Sequence, residues 1–149
     1  MIEISIERLP DTADLPLPAR ATAGSAGLDL LANIDPNQEF NIEPGRWRAV
    51  RTGIKIAIPQ GYEGQIRPRS GLAMKHGVTV LNAPGTIDSD YRGEISVLLI
   101  NLNHECFRIS RGSRIAQIVF APVTEIRWQE RPVNATERGE GGFGSTGMA

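Results

Sequence analysis

The amino-acid sequence predicts an all-β domain, a sandwich or barrel of many short strands. Apolar residues alternate with polar ones in several short runs, 16 glycines and 10 prolines fall between those runs, and only one stretch has helical character. Ile2, Ile4 and Ile6 alternate with polar neighbours and predict a half-buried strand at the very start. Val50–Ile58 repeats the pattern with Ile54, Ile56 and Ile58 on one face, and Tyr62–Arg67, Glu94–Asn101 and Arg114–Phe120 follow as further short strands. The run Val97–Ile100 is apolar throughout and predicts a strand buried on both faces. Turn signals separate these segments at Ile34–Asn37, Glu43–Gly45, Pro59–Gly61, Ala83–Gly85, Asp88–Asp90 and Arg111–Gly112. Gly71–His76 is the one helix candidate, and Gly77 stops it.

A chain of 149 residues suffices for one well-cored domain and is too short for two ordinary ones. Residues 1–131 read as a single β domain and residues 132–149 as a mobile arm. Fully extended, that arm reaches about 60 Å, far enough to serve a neighbouring subunit. With 16 basic and 17 acidic side chains the net charge is −1, so nothing in bulk electrostatics favours nucleic acid or a membrane surface. The single cysteine, Cys106, has no internal disulfide partner, and His76 and His104 are too few for a metal cluster. No window has transmembrane length, and the reading is a cytoplasmic protein.

Five short segments carry groups suited to chemistry. Arg138 to Gly147 combines five glycines with Ser145, Thr146 and Phe143. Gly139–Thr146 fits a P-loop spacing with Ser145 in the lysine position, yet no strand–helix frame surrounds it, so what remains is a backbone nest able to wrap an anion. Asn82–Glu94 lies between strand signals and reads as a hairpin whose loop bears Asp88, Asp90, Tyr91 and Arg92. A carboxylate on such a loop beside bound phosphates can act as a general base for water, although Asp-Ser-Asp alone is also ordinary turn chemistry. In Arg67–Ala73 the pair Ser70-Gly71 opens the helical turn, which suits either an anion at its N–H groups or simple capping by Ser70. Asp29, in Ser25–Leu30, sits in an apolar strand context and needs a partner, for which a magnesium hydration shell and an arginine serve equally well. Gln117 lies on a strand otherwise built for the core, and alone it reads as an exposed strand residue.

Taken together and in this order, the segments Ala26–Leu30, Pro68–Ala73, Asn82–Glu94, Arg114–Gln117 and Arg138–Gly147 resemble the five motifs of the trimeric dUTPase family, with the likeness running from Ala26 to Gly147. The resemblance implies a jelly-roll-like β-barrel that assembles as a homotrimer with active sites at subunit interfaces. It implies hydrolysis of dUTP to dUMP and pyrophosphate with Mg2+, which keeps uracil out of DNA and supplies dUMP for thymidylate synthesis. On this sequence, Asp88 resembles the base that deprotonates the attacking water. Asn82 and the hairpin backbone at Gly85, Thr86 and Ile87 would read the uracil edge, Tyr91 would lie under the deoxyribose, and Phe143 would stack on the base. Arg69, Ser70, Gly71 and Gln117 resemble phosphate ligands, with Arg138, Gly144, Ser145 and Thr146 on the γ-phosphate. Asp29 resembles the acid that holds a water on magnesium. The rival readings are a dCTP deaminase of the same fold and a non-catalytic nucleotide-binding module on this scaffold.

Overall fold

The computed structural model describes residues 2–142, so Phe143, Gly144, Ser145 and Thr146 lie outside the described residues. Eleven strands carry the fold: β1 Ser5–Arg8, β2 Leu28–Leu31, β3 Phe40–Ile42, β4 Trp47–Arg51, β5 Ile54–Ala57, β6 Tyr62–Arg67, β7 Val78–Val80, β8 Gly85–Ile87, β9 Ser96–Asn101, β10 Phe107–Ile109 and β11 Arg114–Pro122. One helix, α1 Ser70–His76, and a 3-10 turn at Pro10–Thr12 complete the elements. Every strand pairing is antiparallel. A four-stranded sheet runs β2-β11-β6-β8 and a three-stranded sheet runs β4-β9-β7, with the pairs β1-β5 and β10-β3 alongside. The result is a jelly-roll β fold, as expected.

The core lies between the sheets and is built from the inward residues of the alternating runs: Ile54, Ile56, Ile58, Ile66, Val97, Leu99, Ile115 and Ile118 are all buried. Thr12, Asn33, Thr52 and Asn101 are its buried polar side chains. Asn101 has no exposed surface; its Nδ2 donates to the carbonyls of Ile42 and Glu105, each at 2.8 Å, and its Oδ1 accepts from the Asn103 N–H at 2.9 Å. A buried amide with its groups partnered ties β9 to β3 and to the following loop.

Four details depart from the pattern-based expectations. The first strand begins at Ser5, and its residues are exposed because it covers β5 at the rim. The alternating run at 50–58 is two strands, since Gly53 takes φ +71° and a Cβ there would fall 2.0 Å from Thr12 Cγ2. Strand β9 buries Val97 and Leu99 fully, while Leu98 and Ile100 on its other face are only half-buried. The segment Asn82–Glu94 is not a simple hairpin: β7 and β9 both pair in the three-stranded sheet, and β8 between them crosses to pair with β6. The helix ends as expected, with Gly77 in the left-handed region donating its N–H to Ala73 and Leu72.

Candidate active site

The four-stranded sheet positions most of the chemistry-bearing residues. Register sets Asp29 on β2 opposite Gln117 on β11, and Gln117 opposite Arg67 on β6. Arg69, just beyond β6, reaches back so that its Nε lies 2.9 Å from Asp29 Oδ1, and its Nη1 donates to the Arg114 carbonyl at 3.3 Å. Arg114 Nη1 stands 3.5 Å from the other Asp29 oxygen. Of the two partners open to Asp29 in the sequence, the structure supplies arginine. Both members of the Arg69–Asp29 pair are about three-quarters buried, so the pair is screened less than a surface ion pair.

Gln117 is half-buried and not an exposed strand residue; its Nε2 donates to the Pro68 carbonyl at 3.0 Å. It folds against β2 because position 27 is glycine: a Cβ there would meet Gln117 Oε1 at 2.1 Å. Ser70 and Gly71 are exposed at the start of α1. Ser70 is the first helical residue and not the cap, which is Arg69 without a side-chain capping bond. The first N–H groups of a helix have no intrahelical acceptor, so this turn offers its donors, beside Arg69, to an outside acceptor. Asp29, Arg69, Gln117, Ser70 and Gly71 thus form one basic, donor-rich group.

The second group surrounds β8. This strand is at the edge of its sheet, paired with β6 on one side only, so a row of backbone N–H and C=O groups faces outward at Gly85–Ile87. Asn82 stands over Gly85, its Nδ2 3.2 Å from where a Cβ of that glycine would be. Asp88 follows β8 in an exposed turn closed by the Tyr91 N–H donating to the Asp88 carbonyl at 3.2 Å. The cleft beside Asp88 also presents Glu3, Glu63, Asp90 and Glu125, against Arg92 as its one guanidinium. That lining is acidic. Asp88 falls next in register after the Ile87–Gly64 pair, whereas Arg69 lies beyond the opposite end of β6. At 3.3 Å per residue their backbones are about 20 Å apart.

Arg138 is exposed in the tail, where its Nε donates to the Gly141 carbonyl at 2.8 Å and its own carbonyl accepts the Gly141 N–H at 3.0 Å. These contacts stay within the tail. No group of three or more His, Cys, Asp or Glu side chains able to hold a metal occurs among the described residues. Nor is any described helix long and apolar enough to cross a membrane. The sequence reading did not single out a polar row on β6, in which Arg67 Nε donates to Gln65 Oε1 at 3.1 Å and Gln65 Nε2 donates to Glu63 Oε1 at 2.7 Å. The signal was present in the period-two spacing of Glu63, Gln65 and Arg67.

A family model described as dUTPase matches residues 13–147. The deoxyuridine 5'-triphosphate nucleotidohydrolase of Methylocella silvestris is 62% identical over 149 residues, covering 99% of this chain and 93% of that protein. The protein of the same name from Brucella melitensis is 58% identical over 147 residues, covering 98% of this chain and 94% of its own. Among solved structures, a variant dUTPase of Staphylococcus bacteriophage 80alpha with dUpNHpp matches with a TM-score of 0.81 at 25% identity, over 99% of this chain and 100% of that one. A variant dUTPase from phage phi11 of S. aureus, described as coordinating a structural Mg(II) ion, matches with a TM-score of 0.74 at 20% identity over 87% of this chain and 97% of its own.

Proposed function

This chain belongs to the dUTPase family, and we propose how its residues divide the work of hydrolysing dUTP to dUMP and pyrophosphate. The observation that carries the proposal is the separation just described. The carboxylate suited to base work stands in an acidic cleft level with one end of β6, and the cationic group suited to phosphates lies beyond the other end, about 20 Å away. A triphosphate seated against Asp88 alone would meet carboxylates. Placing the Arg69 group of one copy against the β8 edge of another supplies the missing positive charge, which supports a site shared between subunits; the homotrimer is the assembly we propose for it. We place the enzyme in the cytoplasm.

In this reading the outward backbone of Gly85, Thr86 and Ile87, together with Asn82, pairs with the uracil edge as an added strand would pair with a sheet edge. Tyr91 packs under the deoxyribose and leaves no room for a 2′-hydroxyl. Arg69, Ser70, Gly71 and Gln117 hold the phosphate chain. From the tail, Phe143 covers the base, while Arg138, Gly144, Ser145 and Thr146 take the γ-phosphate, so closure of the tail excludes bulk water.

Asp88 accepts a proton from a water as that water's oxygen bonds to the α-phosphorus. The bond from that phosphorus to its bridging oxygen breaks, and pyrophosphate leaves with the electron pair. The donors of the Arg69 group stabilise the charge that develops on the phosphate oxygens. Mg2+ would be held chiefly by the substrate's phosphate oxygens and by water, and the Asp29 carboxylate would accept hydrogen bonds from that water. When bound, Mg2+ neutralises charge on the phosphate chain. The names of the close relatives set aside the deaminase alternative.

Pyrophosphate release from dUTP, compared with dCTP, dTTP and UTP, tests the reading. The full chain should release it from dUTP selectively. Asp88→Asn should bind dUTP and turn it over at least about 100-fold more slowly, the scale of a lost general base. A chain ending at Arg138 should assemble and hydrolyse poorly. Near-normal turnover by Asp88→Asn would remove Asp88 from the mechanism, and full activity in the shortened chain would remove the tail.

A further inference from the structure

The loop that bears Asp88 and Tyr91 leaves β8 at one end and is fastened at the other by Glu94, for which the mechanism above has no use. Tyr91 does not project freely. Its Oη donates to the Glu94 carbonyl at 3.1 Å, and its ring lies so close to the next turn of backbone that a Cβ at Gly93 would fall 2.3 Å from that oxygen. Glu94 is itself immobilised. Its carboxylate accepts from Arg51 Nε at 2.9 and 3.2 Å and from the Gly53 N–H at 2.9 Å, and its side chain is only 20% exposed. Arg51 is steadied in turn by Asp11, 3.7 Å from its Nη1. The neighbouring backbone closes the other side: the Ile95 N–H donates to the Ile54 carbonyl at 2.9 Å, and Thr52 Oγ1 donates to the Ile95 carbonyl at 2.6 Å.

We propose that Glu94 is a positioning residue for sugar selection. Clamped by Arg51 and the Gly53 N–H, it holds the carbonyl on which Tyr91 rests and so fixes the height of the tyrosine ring under the sugar. The inference rests on the reading of Tyr91 given above. A carboxylate is required because it takes two donors at once, one of them charged, and such charge-assisted bonds are the strong ones. An amide would turn its NH2 group towards one of those donors. Because Tyr91 N–H also closes the turn begun by Asp88, displacement of the tyrosine affects turnover as well, but its particular signature is the loss of discrimination against a 2′-hydroxyl.

The test is the ratio of kcat/KM for dUTP to that for UTP, measured on the full chain beside the thermal midpoint of each variant. Glu94→Gln should lower the ratio about tenfold, the effect of losing one net hydrogen bond to a charged group. Arg51→Gln, at a half-exposed position that should fold normally, should lower it in the same direction. Tyr91→Ala should lower it at least as far, and adding Glu94→Gln to Tyr91→Ala should change it no further. A merely structural Glu94 would reduce both activities equally and leave the ratio unchanged. An unchanged ratio in Glu94→Gln and Arg51→Gln, with a lowered one in Tyr91→Ala, overturns the role of Glu94. An unchanged ratio in Tyr91→Ala overturns the reading of Tyr91 beneath it. Should Glu94→Gln fail to fold, Arg51→Gln decides by the same measure.

Discussion

Asp29→Asn isolates what the basic group contributes. The side chain keeps its size and loses its charge, so the 2.9 Å contact with Arg69 Nε becomes a neutral hydrogen bond and the 3.5 Å attraction to Arg114 disappears. Arg69 then has a second guanidinium nearby with no carboxylate between them. Hydrogen bonds to charged groups contribute about 1.5–3 kcal/mol, and the pair is mostly sheltered from solvent, so about 2 kcal/mol of Arg69 orientation is at stake. If that orientation is needed at the transition state, kcat/KM for dUTP falls about 30-fold, at 1.4 kcal/mol per factor of ten. Steady-state pyrophosphate release at a series of Mg2+ concentrations is the assay. Loss through misplaced Arg69 is not restored by excess Mg2+, whereas loss through a weakened metal hydration shell is. A variant with wild-type kcat/KM would refute the reasoning that Asp29 organises the phosphate ligands. Recovery at high Mg2+ would move its role from Arg69 to the metal.

Two further predictions concern the scaffold. Asn101→Ala removes one buried and two partly buried hydrogen bonds and leaves the Ile42 and Glu105 carbonyls without that donor, so urea unfolding should show a loss of about 3 kcal/mol at unchanged slope; a loss below about 1 kcal/mol would show the amide to be dispensable. Asp14 is held at a pKa of about 2, first by its hydrogen bonds from Arg111, at 2.6 and 2.8 Å. Because the folded value lies below the ordinary one, the pairing stabilises the fold fully above about pH 4 and that contribution is lost as pH falls towards 2. Melting curves of Asp14→Asn should therefore lack part of the wild-type decline between pH 4 and 2, and an identical acid limb would count against the pair.

The strands were legible where one face is buried, because alternation is a local consequence of the pleat. Ile54 and Ile56 announce β5, and Ile66 and Ile118 lie on strands whose bounds nearly match the apolar runs. Legibility failed where geometry overrides periodicity. The alternation from Val50 to Ile58 continues straight through Gly53, and only the close approach of Thr12 and Asn33 shows why the chain must turn there. Likewise Asn82–Glu94 looks like a hairpin from its flanking strands, but the intervening β8 finds its partner in β6, some 20 residues earlier in the chain.

The same division applies to the site. Residue types and their order identified the family and nominated Asp29, Arg69, Asp88, Tyr91 and Gln117, since the chemistry of an acid, a guanidinium or an amide is carried by the residue itself. Partnerships were not in the sequence. The pairing of Asp29 with Arg69 showed only when β2, β11 and the end of β6 were aligned, and Glu94 acquired a role only when Arg51 and Gly53 were seen to hold it. Sequence by itself determined which groups are available and the period of the strands that carry them, because both are local properties of the chain. Tertiary structure alone decided which groups meet, because antiparallel register brings together residues far apart in sequence and holds others, such as Asp88 and Arg69, at opposite ends of one strand.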